Sequence, residues 1–194
     1  GFTYMNNLAV NSSASPFIIG DRVGMQATGT FASKNVGTGL SYSVGITFVG
    51  ADSANYALNS GSTYTGTNGT ITQLNSVTYT GPNAGGLWAN PSNWTTTGTT
   101  LIGAIPDLAN VANVIIPSGA TVLYDSTVSG PVQTTVANSG NLDINLSSAT
   151  TLPMSINGPG TLTVSGSGIL TLTGNSSFTG NTILGLGKTL VAGS

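Results

Sequence analysis

Four stretches of this chain line up on glycine. They are "GATVLYDSTVSGPVQTTVANS" from Gly119, "GNLDINLSSATTLPMSINGP" from Gly140, "GTLTVSGSGILTLTGNSSFT" from Gly160 and "GNTILGLGKTLVAGS" from Gly180. Self-similarity at a period of about 20 residues is the mark of a solenoid, in which each repeat is too small to bury its own apolar side and must stack on the next. Few other architectures accept such a pattern.

The columns of the alignment define the core. Leu142 and Leu162 share one column and Ile144 and Val164 another. Thr150, Leu170 and Leu190 share a third, Leu152 and Leu172 a fourth, and Val136 and Ile156 a later one. Apolar residues alternate within short segments broken by Gly, Ser and Asn, as half-buried strands do. Three such segments per repeat predict a coil of three strands around a triangular core, each coil about 4.8 Å above the last. Asn138, Asn157 and Asn175 fall near the corners, where Asn tolerates a left-handed backbone. The first repeat carries one extra residue, expected as a loop or bulge.

Upstream the pattern differs. "SYSVGITFVG" places Tyr42, Val44, Ile46 and Phe48 on one face of a strand, and "TYTGTNGTITQL" sets Thr67-Asn68-Gly69 between Thr-rich runs, the signal of a hairpin. Residues 1–75 are therefore expected to form an antiparallel β-sandwich. Residues 76–109, with "YTGPNAGGLWANPSNW" at their start, read as a junction of turn chemistry. Residues 110–194 are expected to form the solenoid. Gly or Pro interrupts nearly every ten-residue window, so helix is not expected.

The residues that carry most chemistry are scarce. In 194 residues there are three Lys plus Arg, five acids (all Asp), no His and no Cys. General acid–base catalysis and metal binding draw mainly on these types placed within reach of one another, so the expectation is a chain that is not an enzyme and needs no metal or other cofactor. A net charge of −2 provides no basic stripe for phosphate backbones, which argues against nucleic acid. No apolar run approaches the roughly 20 residues that span a bilayer. The opening "GFTYMNNLAV" lacks a cationic start followed by an apolar stretch, and the chain reads as a mature piece or a fragment.

"TGTFASKNVGTG" followed by "GADSANYAL" resembles the YDG/MBG-type β-sandwich modules of filamentous-haemagglutinin-like exoproteins, over roughly residues 15–74. A "F-x-x-K-N-V-G" turn and a "G-A-D-x-x-N-Y" strand entry recur in those modules. Of their opening Tyr-Asp-Gly-like element only Tyr4 is matched. The tail, "GPGTLTVSGSGILTLTGNSSFTGNTIL", is similar to autotransporter-associated β-strand repeats. The resemblance implies an immunoglobulin-like β-sandwich followed by a right-handed parallel β-solenoid. It further implies a large secreted or surface protein of a Gram-negative bacterium, with a role in adhesion, cohesion or as a stalk.

Candidate residues follow from these two readings. Lys34, Asn35, Gly37, Asp52, Asn55 and Tyr56 carry the turn motifs, and Asp52 is expected to cap its turn through a side-chain oxygen. Trp88 and Trp94 are candidates either for glycan contact or for capping the end of the solenoid. "GLGKT" at Gly185–Thr189 mimics a phosphate loop, but Thr182 stands where that motif needs its first glycine and no helix is expected after it. Asp21, Asp52, Asp107, Asp125 and Asp143 do not cluster in sequence as a Ca²⁺ site requires. Expected partners are like chains or the remainder of one long exoprotein, and a matrix polysaccharide. A self-assembling filament subunit and a carbohydrate-binding module are the competing readings.

Overall fold

The structure, a computed structural model, describes residues 3–4 (backbone only), 17–59 and 61–192. The chain divides into two compact units, Gly1–Ile71 and Thr72–Ser194.

In the first unit, β1 (Thr3–Tyr4), β2 (Gly24–Phe31), β3 (Gly37–Val49) and β4 (Thr63–Ile71) form one antiparallel sheet in the order β1-β2-β3-β4. The register sets Met25 opposite Phe48, Ala27 opposite Ile46 and Phe31 opposite Tyr42, so the alternating apolar residues of β2 and β3 share a face. A sandwich requires a second sheet, and the described residues of this unit form none. No described side chain in 17–71 is fully buried.

The expected hairpin at Thr67-Asn68-Gly69 is corrected: β4 runs straight through it. Gly66 and Gly69 serve a different need. A Cβ at Gly66 would lie 2.5 Å from the Tyr42 ring, and one at Gly69 would run into the Phe31 ring. Here glycine makes room for a neighbour's aromatic side chain instead of turning the chain. The register also shifts on both sides of Leu40, between Thr38 and Leu40 and again between Leu40 and Tyr42.

The second unit is a β-solenoid of about four turns. Its strands are β5 (Leu74–Tyr79), β6 (Gly86–Leu87), β7 (Trp94–Thr96), β8 (Val111–Ile116), β9 (Thr121–Asp125), β10 (Thr135–Asn138), β11 (Asn141–Asn145) and β12 (Thr150–Leu152), then β13 (Ser155–Gly158), β14 (Thr161–Val164), β15 (Leu170–Leu172), β16 (Ser177–Phe178), β17 (Thr182–Leu184) and β18 (Leu190–Ala192). They stack into three sheets, ordered β16-β13-β10-β8-β5-β7, β17-β14-β11-β9-β6 and β12-β15-β18. Every pairing among them is parallel except β5 with β7.

The columns read from the sequence are the pairings found: Leu142 with Leu162, Ile144 with Val164, Leu152 with Leu172, Val136 with Ile156, and Thr150 with Leu170, which pairs in turn with Leu190. Leu142, Leu162, Val136 and Ile156 are fully buried, and the core continues through Val114 and Val122 below them. The extra length of the first repeat lies at the turn Pro117–Ala120, because Ala120, and not Gly119, precedes Thr121 as Gly140 precedes its partner Asn141.

The solenoid begins earlier than expected. β5 pairs in parallel with β8, Leu74 against Val111 and Val77 against Val114, and β6 pairs with β9. Residues 72–109 are thus the first coil, with β7 folded back antiparallel onto β5. A sequence with no 20-residue partner below it carries no visible column, which is why this coil reads as a junction.

The corner asparagines are also corrected. Among the described residues only Leu108 has a positive φ without being glycine. Asn138 is buried and spends its amide across the corner, donating to the Thr161 carbonyl at 2.9 Å and accepting from the Gly140 N–H at 3.2 Å. The left-handed residue at the next corner is Gly158, with φ +106°.

Candidate functional site

Three places hold the side chains singled out from the sequence: the first coil, the strand entry of the N-terminal unit, and the outer faces of the solenoid.

In the first coil Trp88 and Trp94 are both fully buried. Their rings meet edge to face with centroids 5.1 Å apart, Tyr79 packs on Trp94 at 5.5 Å, and Tyr124 of the next coil packs on Trp88 at 5.3 Å. The Trp88 indole N–H donates to the Pro106 carbonyl at 2.9 Å, and that of Trp94 donates to the Trp88 carbonyl at 2.7 Å. A buried indole with its one donor used is a satisfied core residue. Neither ring offers a face to a sugar, so the glycan-contact reading of this pair is withdrawn. The pair fills the first coil, where the core is closed by aromatic bulk. Burial pushes the Tyr124 phenol up to about 12 and raises that of Tyr79, whose hydroxyl donates to the Pro82 carbonyl.

The "GADSANY" segment ties the chain entering β2 to the chain leaving β3, at one end of the N-terminal sheet. Asp52 leaves its own turn uncapped, contrary to expectation. Its Oδ2 accepts from the Arg22 N–H at 2.8 Å, and its own N–H donates back to the Arg22 carbonyl at 3.3 Å. Gly50 permits this approach, since a Cβ there would collide with that same carbonyl. Asn55 closes the short 3₁₀ turn Ser53–Asn55 by donating to the Asp52 carbonyl at 3.1 Å. Tyr56 donates to Asp21 Oδ2 at 2.7 Å while accepting from the Ile18 N–H at 2.9 Å, and its ring packs on Phe17 and Phe48. The Ile18 N–H draws the phenol pKa down, but desolvation and the Asp21 and Asp52 carboxylates outweigh it, leaving the value above the usual one. Lys34 and Asn35 lie in the bend between β2 and β3, where the Asn35 N–H donates to Ser33 Oγ at 3.0 Å, and Gly37 opens β3 opposite Ile71.

The outer faces carry ladders that sequence reasoning did not single out. Thr163 Oγ1 donates to Asn141 Oδ1 at 3.0 Å and Ser165 Oγ to Asp143 Oδ1 at 2.5 Å. Asn157 Oδ1 accepts from both the N–H and the hydroxyl of Ser177. The signal for them is the same period read at the outward positions, with Ser177 20 residues from Asn157 and with Thr163 and Ser165 reaching diagonally to partners 22 residues before them. The other carboxylates are likewise used locally: Asp125 accepts from the Thr127 N–H, and Asp107 from the Asn110 amide at 2.6 Å. Among the described residues no three His, Cys, Asp or Glu side chains come together. "GLGKT" forms the turn between β17 and β18, with Gly187 at φ +74° and Leu186 fully exposed. No helix among the described residues is long and apolar enough to cross a membrane.

A family model described as "YDG domain" matches residues 3–65. The match ends inside β4, so it covers nearly all of the N-terminal sheet and the whole Asp52–Tyr56 clasp, and none of the solenoid. Neither the curated proteins nor the solved structures contain a match to this chain.

Proposed function

We propose that this chain is a non-catalytic structural and adhesive segment of a bacterial secreted or cell-surface filamentous protein, serving as stalk or cohesion module. One observation carries the reading: the in-register columns that run from β9 through β11 and β14 to β17. A stack of this kind satisfies backbone donors and acceptors coil against coil, so the chain gains length along one axis without enlarging its core. Its outward columns are hydroxyls and amides with few charges, and a neutral surface meets a like neighbour or a matrix polymer with little repulsion. The YDG match supports an extracellular structural or binding role in general terms. No nucleic acid, bilayer or cofactor enters this role; its partners are like chains, the remainder of a long exoprotein, or matrix polysaccharide.

A second reading, a self-assembling filament subunit joined by strand complementation, is favoured by one feature. Ile183, Leu184, Leu186 and Val191 of the coil that holds β17 and β18 are exposed, and apolar side chains presented beside strands invite association with a like chain. Inert beads coated with the purified chain test both readings. Under the first, coated beads cluster with one another while the free chain stays monomeric in light scattering. Under the second, the free chain itself grows with concentration. Dispersed beads together with a monomeric chain would overturn both.

A further inference from the structure

We infer that the N-terminal sheet carries a binding cleft for a neutral glycan, formed around Phe31 and Tyr42. The inference deepens the adhesive part of the reading above by giving that adhesion a site and a ligand class.

The cleft measures about 610 Å³ and is lined by Phe31 and Tyr42 together with the hydroxyl residues Thr30, Ser41, Ser43, Thr65 and Thr67. That volume lies within the range of roughly 300 to 1,000 Å³ typical of small-ligand sites. Among the described residues no charged side chain lines it. The two rings are set edge to face with centroids 6.1 Å apart, and both are only partly buried. Here the aromatic pair differs from Trp88 and Trp94, whose faces are consumed by the core.

Three features of the chain converge on the cleft. First, Gly66 leaves β4 bare beneath the Tyr42 ring, and Gly69 does the same beneath Phe31. Any side chain at either position would push the ring away. Second, the register shifts on either side of Leu40 distort β3 immediately before Tyr42, and bulges of this kind re-aim side chains next to binding sites. Third, the Tyr42 hydroxyl and the five Thr and Ser hydroxyls of the lining make no side-chain hydrogen bond with any described residue, which leaves them to a ligand. The clasp at Asp52 and Tyr56 lies at the opposite end of the same strands, six residue pairs along from Phe31–Tyr42 at Met25–Phe48, and leaves this end unencumbered.

The lining selects the ligand class. An aromatic face stacks on the C–H face of a sugar ring, and neighbouring hydroxyls exchange donors and acceptors with the sugar's own. With no cation in the lining, nothing neutralises a sulfate or a uronic acid, so the ligand is uncharged. The lining reaches onto β4, the last strand in the order of this sheet, through Thr65, Gly66 and Thr67.

The test uses the whole 194-residue chain with hexasaccharides of β-linked glucose, galactose and N-acetylglucosamine, alongside a heparin-derived hexasaccharide. Titration calorimetry is expected to find at least one neutral hexasaccharide binding with Kd of about 0.1 to 1 mM, an ordinary strength for a shallow site. The heparin fragment is expected not to bind. Tyr42→Phe removes only the hydroxyl and should weaken binding several-fold; Tyr42→Ala should abolish it. Thr163→Ala, on the solenoid, should leave it unchanged. Far-UV circular dichroism confirms that each variant is folded, and Tyr42→Phe remains informative if Tyr42→Ala is not. Absence of binding by every neutral hexasaccharide at about 5 mM, roughly fivefold above the weakest expected Kd, overturns the inference, as does binding that survives Tyr42→Ala. Bead clustering that persists without glycan binding would sink this site while leaving the cohesion reading intact.

Discussion

The indole N–H of Trp94 donates to the main-chain carbonyl of Trp88 at 2.7 Å, inside a coil where both rings are fully buried. Each indole therefore holds the backbone of the first coil as well as filling it. Trp94→Phe keeps most of the bulk and leaves the Trp88 carbonyl without its donor. It should lower stability by about 1 to 3 kcal/mol, the cost of an unmet buried polar group. Trp88→Ala should cost more, about 3 to 5 kcal/mol. Urea denaturation followed by circular dichroism checks both. Values within about 0.5 kcal/mol of the parent, as surface substitutions give, would remove the first coil from the solenoid core.

Leu170 is buried between Thr150 and Leu190 in one column, whereas its neighbour Thr171 faces out. Leu170→Ala should destabilise by about 2 to 5 kcal/mol. Thr171→Ala should change stability by less than about 0.5 kcal/mol. A larger effect at Thr171 than at Leu170 would mean that the strand alternates in the other sense.

Gly160 stands at a corner where a Cβ would lie 2.6 Å from the Gly140 carbonyl oxygen of the coil below. Gly160→Ala should therefore destabilise by more than the usual ~1 kcal/mol cost of an altered glycine, even though alanine adds only a methyl group. Gly98→Ala meets nothing within 4 Å, and its cost comes only from its positive φ of +79°. Comparing the two thermal midpoints separates packing from backbone conformation.

Tyr124 gives the solenoid an alkaline limit. Its phenol is pushed up to about 12 by burial, above its ordinary value near 10 when unfolded. Between those values the unfolded chain has released the proton and the folded chain still holds it. Stability from this group is therefore complete below pH ~10 and is lost as pH rises toward ~12, by on the order of 1 kcal/mol after screening. Urea midpoints at pH 9 and 11.5 should diverge in the parent and diverge less in Tyr124→Phe.

Asp52 fastens Arg22 by its carboxylate. Asp52→Ala should speed amide hydrogen exchange at Arg22 and lower the stability of the N-terminal sheet by about 1 kcal/mol. Unchanged exchange there would show that the backbone pair from Asp52 N–H to the Arg22 carbonyl suffices alone.

The solenoid was legible in the sequence because parallel stacking makes each coil the template of the next. Leu142 predicts Leu162 because the same inward position recurs with the same neighbours. The first coil lacks that redundancy. Leu74 pairs with Val111 across an excursion containing both Trp residues and a strand that runs backward, so no fixed offset betrays it. Local signals failed where tertiary contacts reassigned them. Asn68-Gly69 reads as a hairpin, yet the Phe31 ring needs that glycine. Asp52 reads as a cap, yet a backbone N–H thirty residues away claims its carboxylate. The Phe31–Tyr42 cleft depends on cross-strand register, which alternation alone does not specify.

The corner glycines at 140, 160 and 180 recur at a fixed interval, and so do the columns between them. Excising one interval would leave every remaining strand facing a partner of the same kind, in the same register. The reach of this molecule is therefore counted in whole coils: each 20-residue instalment adds about 4.8 Å, where the same residues fully extended would span about 66 Å. Length along the axis is a quantity that duplication can lengthen or shorten in steps without redesigning a single contact.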